Sequence, residues 1–461
     1  MSRLSSLRDE GKQQKTPERE PTERREEVKL PKAEQRAEAN PARDEGKSST
    51  EMWEEVFSKG NMETALARVK SNGGAAGIDG MTVEELRGYL VKHWLEIREA
   101  LESGTYKPSP VRRVEIPKPD GGVRQLGIPT VIDRLIQQAI AQVLTPIFER
   151  KFSPSSYGFR PGRSAHEAIL KAQEYVQEGN EWVVDIDLEK FFDRVNHDVL
   201  MGRLEKRIAD KRLLRVIRRF LEAGMMANGV MVERYEGTPQ GGPLSPLLAN
   251  VLLDEVDKEL EARGLCFARY ADDCNVYVGS KRAGEDVMAM LKERYERLHL
   301  KLNESKSAVA RPQERKFLGY SFWYGPKGEV RRRVAPKALE KLKERVRDIT
   351  CRSGGRSVAA VITELRSYLV GWKAYFGKTQ TPGVLADLDG WIRRKLRVLQ
   401  LKQWKRGTTA YRELRKLGAA EDVAARVAKY LRRWWANSGK LVNTVLNTRY
   451  YDKLGLPRLS C

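Results

Sequence analysis

Two adjacent carboxylates, Asp272 and Asp273, lie between two short β-prone runs, Leu265 to Tyr270 and Cys274 to Val278. Such runs joined by a tight acidic turn predict a β-hairpin. At its tip the two side chains repel unless a positive charge stands between them, and a divalent cation that takes hard oxygen ligands meets that need. The pair equally suits an ordinary solvated turn, where Asp is common. A second acidic cluster occurs in Trp182-Val183-Val184-Asp185-Ile186-Asp187-Leu188, which reads as a strand leaving the core. An unpaired carboxylate inside a strand is costly to bury, so Asp185 and Asp187 mark its exit end, and the two-residue period sets them on one face.

Several elements must position these groups. Val111 to Ile128 predicts a hairpin whose turn, Lys118 to Gly122, is flanked by Lys118 and Arg124, two cations able to face one anion. Asp133 to Lys151 keeps apolar residues at helical spacing and predicts a core helix. The Gly-rich stretch Asn72 to Gly80 lacks the Gly-Lys-Ser/Thr of a phosphate-binding P-loop. Thr82 and Glu85 suggest a capping box, and Ser164 caps the helix that follows it. In Gly237 to Leu247, Pro and Gly-Gly force an irregular loop, after which Ser245 is expected to cap, and Pro246 to start, a helix ending at Gly264. Lys211 to Gly224 is a basic helix. From about residue 336 the pattern is helical throughout, with aromatics such as Trp372, Trp391, Trp404, Trp434 and Trp435 among basic residues.

The chain has 461 residues, enough for two to four domains, and a net charge of +22. Residues 1–50 carry 12 basic and 11 acidic side chains without aromatics, a composition too polar to offset the entropy of ordering. Residues 51–330 sum to zero, whereas residues 331–461 carry 31 Lys and Arg against 10 Asp and Glu. A near-neutral body joined to a strongly cationic region predicts a catalytic part and a part that grips a polyanion, nucleic acid foremost. No apolar run is long enough to span a membrane, no secretory signal opens the chain, and the four cysteines show no paired spacing, so a reduced, cytoplasmic protein is expected.

The order of motifs resembles the palm of reverse transcriptases: strand Asp187, then Pro239-Gln240-Gly241 before a helix, then Tyr270-Ala271-Asp272-Asp273, Lys306, and Phe317-Leu318-Gly319-Tyr320. In detail it is similar to bacterial group II intron-encoded reverse transcriptase/maturases. The finer match lies in Ile116-Pro117-Lys118, Tyr157-Gly158-Phe159-Arg160-Pro161-Gly162, Phe191-Phe192-Asp193, Thr238 to Pro246, Gly371-Trp372 with Tyr375-Phe376, and Trp391-Ile392-Arg393-Arg394. The resemblance covers about residues 52–450 and implies an α+β, right-hand polymerase fold. Residues 1–50 would be a disordered tail, 51–330 fingers and palm with an antiparallel sheet, and 331–461 an all-α, basic thumb of the maturase-specific type.

The implied reaction is RNA-directed DNA synthesis, in which a primer 3′-hydroxyl attacks a dNTP with two Mg²⁺ ions. Asp187, Asp272 and Asp273 would be catalytic and, with the Leu188 carbonyl, metal-binding. The family pattern favours Asp187 over Asp185 because it sets Phe192 under the sugar, excluding a 2′-hydroxyl. Lys118 and Arg124 would hold the triphosphate, Gln240 would lie by the nascent pair, and Lys306 would neutralise pyrophosphate. Arg393, Arg394, Lys395, Arg397, Lys402, Lys405 and Arg406 would contact RNA. The partners implied are a group II intron RNA whose splicing and mobility the protein promotes, an RNA template with a DNA primer, and target DNA. Many relatives carry a C-terminal HNH endonuclease region; here no His follows His299 and only Cys351 and Cys461 lie beyond residue 330, so no such domain is expected. The other readings are a defence-associated or diversity-generating reverse transcriptase, an RNA polymerase using NTPs, and a splicing cofactor without catalysis.

Overall fold

The computed structural model describes residues 49–117, 122–227, 230–232, 235–239, 241–351 and 355–460. The stretch 1–48, most of the expected disordered tail, lies outside them. In chain order the elements are α1 (Ser49–Val56), α2 (Lys59–Asn72), α3 (Leu86–Glu102), β1 (Val111–Pro117), β2 (Val123–Ile128), α4 (Val131–Glu149), α5 (Ala165–Gln177) and β3 (Trp182–Ile186). There follow α6 (His197–Glu205), α7 (Lys211–Glu222), β4 (Met225–Ala227), β5 (Val230–Val232), α8 (Ser245–Ala262), β6 (Cys266–Tyr270), β7 (Asp273–Val278), α9 (Lys281–Arg297), β8 (Ala308–Ala310), β9 (Tyr320–Tyr324) and β10 (Val330–Val334). The remainder is helical: α10 (Pro336–Ile349), α11 (Val358–Phe376), α12 (Pro382–Gln403), α13 (Gly407–Lys416), α14 (Glu421–Lys429) and three short helices ending at Lys453. No described helix is long and apolar enough to cross a membrane.

The predicted hairpin forms, with Arg112 opposite Ile128 and Pro117 opposite Val123. It belongs to a four-stranded sheet of order β2-β1-β4-β5, in which β1 and β4 run parallel. The predicted helix from Asp133 is α4, and Leu135, Ile136, Ala139, Ile140, Val143, Leu144 and Phe148 are all buried. The Thr130 hydroxyl caps it by accepting from the Asp133 amide at 3.2 Å. The Asp133 carboxylate in turn accepts from Tyr106, Thr130 and the Ser109 amide at 2.7, 2.7 and 3.1 Å, while burial pushes its pKa up to about 6.

The second four-stranded sheet has the order β6-β7-β3-β8 and is antiparallel throughout. Its central strands are covered by the large apolar core that α4, α8 and α9 share. α8 begins at Ser245 with Pro246 in its first turn, but the cap is Leu244 and offers no side-chain bond. The Ser245 hydroxyl donates instead to the Pro239 carbonyl at 2.8 Å, so it fastens the preceding loop rather than capping the helix. A second core runs from Val334 to Leu459 and is built from α10 to α14 and the short helices after them. Between the two, Tyr157, Phe317, Tyr320 and Phe322 form a smaller cluster against which Tyr375 and Phe376 of α11 pack.

Candidate active site

Strands β3 and β7 lie at the centre of the second sheet, and their register ends with Ile186 opposite Cys274. The next residues on each strand are Asp187 and Asp273, so two carboxylates leave the sheet side by side. On the other side of β7, Tyr270 pairs with Asp273, which leaves Ala271 and Asp272 as a two-residue loop. Ala271 takes φ of 58°, a left-handed conformation that costs a residue with a β-carbon about 1 kcal/mol. The turn therefore needs support from below. Arg269, buried in β6, supplies it: its guanidinium donates to both Asp257 oxygens at 2.7 and 2.5 Å, to the Asn250 side chain at 2.9 Å and to the Ala271 carbonyl at 2.9 Å. Asn250 then donates to the Gly158 carbonyl at 2.9 Å. Gly158 has no room for a side chain, since a β-carbon would stand 2.2 Å from the Ala271 nitrogen. The Tyr157-Gly158-Phe159 loop thus fits directly under the acidic turn.

Asp187 is fixed through its backbone. Its amide donates to the Ser307 hydroxyl at 3.0 Å, and its carbonyl accepts from the Asn303 amide at 2.8 Å. The segment Asn303 to Ser307 carries Lys306, which is thereby held beside the acidic strand. Arg315 completes the clamp by pairing with Asp185, Nε to oxygen 2.8 Å, and by donating to the Lys306 carbonyl. Asp185, Asp187, Asp273, Lys306, Arg315 and Lys316 line one cleft of about 560 Å³.

Charge in this cleft is crowded. Asp273 reaches solvent, yet desolvation by the cleft walls and then the neighbouring Asp272, Asp185 and Asp187 carboxylates raise its pKa to about 7, opposed by Lys316. Asp272 is raised too, by burial and Asp187, while Arg124 and Arg269 oppose the shift. The two neighbours therefore face different surroundings, Asp272 towards Arg124 of the β1–β2 hairpin and Asp273 towards Lys316, and both feel Asp187. Three neighbouring carboxylates are hard oxygen donors suited to Mg²⁺, whose charge would favour their ionised forms. As they stand, no three His, Cys, Asp or Glu side chains among the described residues converge tightly enough to hold an ion. Binding one would draw the acidic groups inward. Leu188 is buried and bridges to Leu302, next to this cluster.

Phe192 opens onto a different pocket of about 620 Å³, lined also by Leu126, Arg134, Phe159, Gly241, Pro243 and Ser245. Phe191, its neighbour, is buried, and the two rings meet edge-on at 5.1 Å. Gly237 must be glycine here: its φ is 89°, and a β-carbon would lie 2.9 Å from the Phe192 and Asp193 carbonyls. The Thr238 amide donates to the Phe192 carbonyl at 2.7 Å, tying this pocket to the loop before α8.

Two family models match this chain in order: reverse transcriptase (RNA-dependent DNA polymerase) over residues 116–322, and the group II intron maturase-specific domain over residues 339–418. The chain thus carries, in this order, a match to a reverse transcriptase and a match to a group II intron maturase-specific domain. Among curated relatives, the group II intron-encoded protein LtrA of Lactococcus lactis subsp. cremoris is 41% identical over 195 residues, 42% of this chain and 32% of LtrA. Protein YkfC of Escherichia coli (strain K12) is 39% identical over 208 residues, 44% of this chain and 55% of YkfC. A putative COX1/OXI3 intron 1 protein of Saccharomyces cerevisiae is 34% identical over 198 residues, 43% of this chain and 24% of that protein. The chain thus spans about half or less of the length of these relatives.

Within the reverse transcriptase match, the β3 end and the β6–β7 turn bring Asp187, Asp272 and Asp273 together, with Arg124 and Lys306 at their flanks. Lys118 and Gln240 lie outside the described residues. Arg269, Asp257, Asn250, Ser307 and Arg315 escape sequence reasoning. Arg269 leaves a signal as a charge within the β-prone run Cys266 to Tyr270, whereas Asp257 stands in the charged run Asp254 to Glu259 and looks like its neighbours.

In the maturase-specific match the expected RNA-contacting cations divide into two groups. Arg393 is buried and pairs with Asp389 and Asp452 at 3.1 Å each. Arg397 is buried and donates to the Ser438 carbonyl and the Asn443 side chain at 2.6 and 2.7 Å. These two hold helices together instead of lining the surface. Arg394 lies 4.0 Å over the half-exposed Trp435 ring, Lys395 lies 5.6 Å from both Trp391 and Trp435, and Lys402 lies 4.8 Å over Trp434. Lys405 and Arg406 sit in the turn between α12 and α13.

Proposed function

We propose that this protein is an RNA-directed DNA polymerase encoded by a group II intron, and that it also acts as a maturase on the intron RNA. The observation that carries the reading is the meeting of Asp187 with Asp272 and Asp273 at one end of the central sheet, between Arg124 on one side and Lys306 and Lys316 on the other. Residues 51–330 would serve as fingers and palm, and the basic residues 331–461 as a thumb. Two Mg²⁺ ions held by Asp187, Asp272, Asp273 and the Leu188 carbonyl would supply activation of the primer hydroxyl and neutralisation of the leaving pyrophosphate.

The chain's own residues orient the reactants. Arg124, close enough to Asp272 to oppose the rise in its pKa, would hold a triphosphate that approaches the acidic turn, together with Lys118. Lys306, fixed by the Asn303–Ser307 segment, faces the same cleft and neutralises charge on the departing pyrophosphate. Phe192 would stack against the sugar and exclude a 2′-hydroxyl, and Gln240, outside the described residues, would serve by the nascent pair as the resemblance implies. Arg394, Lys395, Lys402, Lys405 and Arg406 grip the RNA, with the exposed Trp435 indole available for stacking. The same surface would bind the folded intron RNA during splicing and the template–primer duplex during copying into target DNA. A cytoplasmic setting accords with the free cysteines Cys266, Cys274 and Cys351.

The test is extension of a DNA primer on an RNA template with dNTPs and Mg²⁺. Incorporation by the intact protein and its loss in Asp272→Ala are expected. No incorporation, or activity unchanged in the variant, would sink the reading. Splicing assistance without synthesis would point to the non-catalytic cofactor.

A further inference from the structure

Helix α3 (Leu86–Glu102) turns one apolar stripe inward. Leu86 and Leu101 are buried, and Leu90, Trp94 and Ile97 pack on the large core between them. A second apolar pair lies outside that stripe. Val91 and Leu95 are 83% and 81% exposed, whereas the next most exposed valine, leucine or isoleucine among the described residues, Val370, stands at 53%. The two are four residues apart, so they sit side by side on one face. Gly88, three residues before Val91, extends the same seam and leaves a notch in it: nothing in this chain comes within 4 Å of where its β-carbon would stand. A glycine inside a helix is disfavoured against alanine, and here no contact within the chain calls for one. The spacing of Gly88, Val91 and Leu95 is that of a helix that receives another helix.

The charges beside this seam are ordered. Arg87 and Lys92 are exposed along its first half, Glu96 and Glu99 along its second. A face whose cations and acids balance around an apolar pair does not suit nucleic acid, which is gripped by cations in excess. It suits a helix with the same features in reverse order, and a second copy of α3 running antiparallel is such a helix. A two-fold axis beside His93 sets Val91 of one copy against Leu95 of the other, and the same alignment sets Arg87 opposite Glu99 and Lys92 near Glu96. Each contact is made twice, as two-fold symmetry requires. We propose that the outer face of α3 is the pairing surface of a homodimer, joined antiparallel through Gly88, Val91 and Leu95. The apolar pair supplies the attraction, and the ordered charges fix the direction. The proposal is independent of the polymerase reading, and none of the residues lining the carboxylate cleft belongs to α3.

The test weighs the nuclease-treated full chain by sedimentation equilibrium across micromolar concentrations. The mass of the wild-type chain is expected to rise towards that of two copies. Leu95→Glu, which would bury an unpaired charge in the seam, should raise the dissociation constant about tenfold or more. Two charge variants test the direction. Arg87→Glu with Lys92→Glu makes both halves of the face acidic, and Glu96→Lys with Glu99→Lys makes both basic. Each alone should stay monomeric, and an equal mixture should pair again. All of these side chains are exposed, so melting temperatures should stay near that of the wild type, and recovery in the mixture separates lost pairing from lost folding. A wild-type chain that stays monomeric at every concentration, a dimer that survives Leu95→Glu, or a mixture that fails to pair overturns the proposal. Weaker RNA binding by Leu95→Glu with an unchanged mass overturns it too, and gives the face to nucleic acid.

Discussion

The Arg269 guanidinium grips both oxygens of Asp257, at 2.7 and 2.5 Å, directly beneath the turn that carries Asp272. Neither group reaches solvent. A buried pair of this kind is poor evidence of net stability, but breaking it strands a charge at a cost of about 3–5 kcal/mol. Asp257→Asn should therefore lower unfolding stability by about that amount in urea titration. The double variant Arg269→Met with Asp257→Leu should recover much of the stability and still lose activity, because the bond from Arg269 to the Ala271 carbonyl is gone. Recovery of both properties together would show that the pair serves folding alone.

Asp273 predicts a pH-dependent response to Mg²⁺. Its folded pKa, raised to about 7, lies above the value expected of the unfolded chain, so the folded protein holds the extra proton. The sign follows: without a cation, this group makes the fold less stable as pH rises from the ordinary carboxylate range through about 7. Mg²⁺ must displace the proton below that pH and meets a carboxylate above it. Added Mg²⁺ should accordingly raise the melting temperature more at pH 8 than at pH 6, and Asp273→Asn should erase the difference. Equal stabilisation at both values in the wild-type chain would remove Asp273 from the metal site.

How much of this was legible in the sequence depends on how local the signal is. The Tyr270–Asp273 hairpin, the β1–β2 pair and the bounds of α11 follow from alternation, turn chemistry and helical spacing, all of which act within a few residues. The Arg315–Asp185 pair spans 130 positions and leaves no such trace. Counting cations likewise overstates the RNA-facing surface: Arg393 and Arg397 look like their neighbours Arg394 and Lys395 until α12 is packed, when Asp389, Asp452 and the Ser438 carbonyl draw them inward. Ser245 shows the same effect at short range, because a favoured capping residue finds a nearer acceptor in the Pro239 loop.

Phe192 lines the pocket that also holds Leu126 and Gly241, away from the cleft with Asp273 and Lys306. If its ring selects the sugar, shortening it should affect choice of nucleotide more than speed. Phe192→Ala should raise the ratio of ribonucleotide to deoxyribonucleotide incorporation about tenfold or more, within the range that one pocket contact can discriminate. Competitive single-nucleotide extension measures that ratio. An unchanged ratio with a slowed reaction would assign the ring to packing against Phe191.

The division among the α12 cations gives the sharpest contrast. Arg393 lies between Asp389 and Asp452, and Asp389 also accepts from the Leu459 and Ser460 amides at 3.0 Å. Removing Arg393 leaves Asp389 without its cation and loosens the chain end that Asp389 holds, while Asp452 keeps Arg458. Arg393→Ala should therefore lower stability by about 3–5 kcal/mol. Arg394 touches the Trp435 ring and carbonyl near the surface, where a charge adds little to folding. Arg394→Ala should melt close to wild type, yet bind RNA more weakly and reduce the salt dependence of binding by roughly one phosphate contact. Melting curves and RNA titrations at several salt concentrations separate the two. Loss of RNA binding in a stable Arg393 variant, or no change in the Arg394 variant, would reverse the assignment.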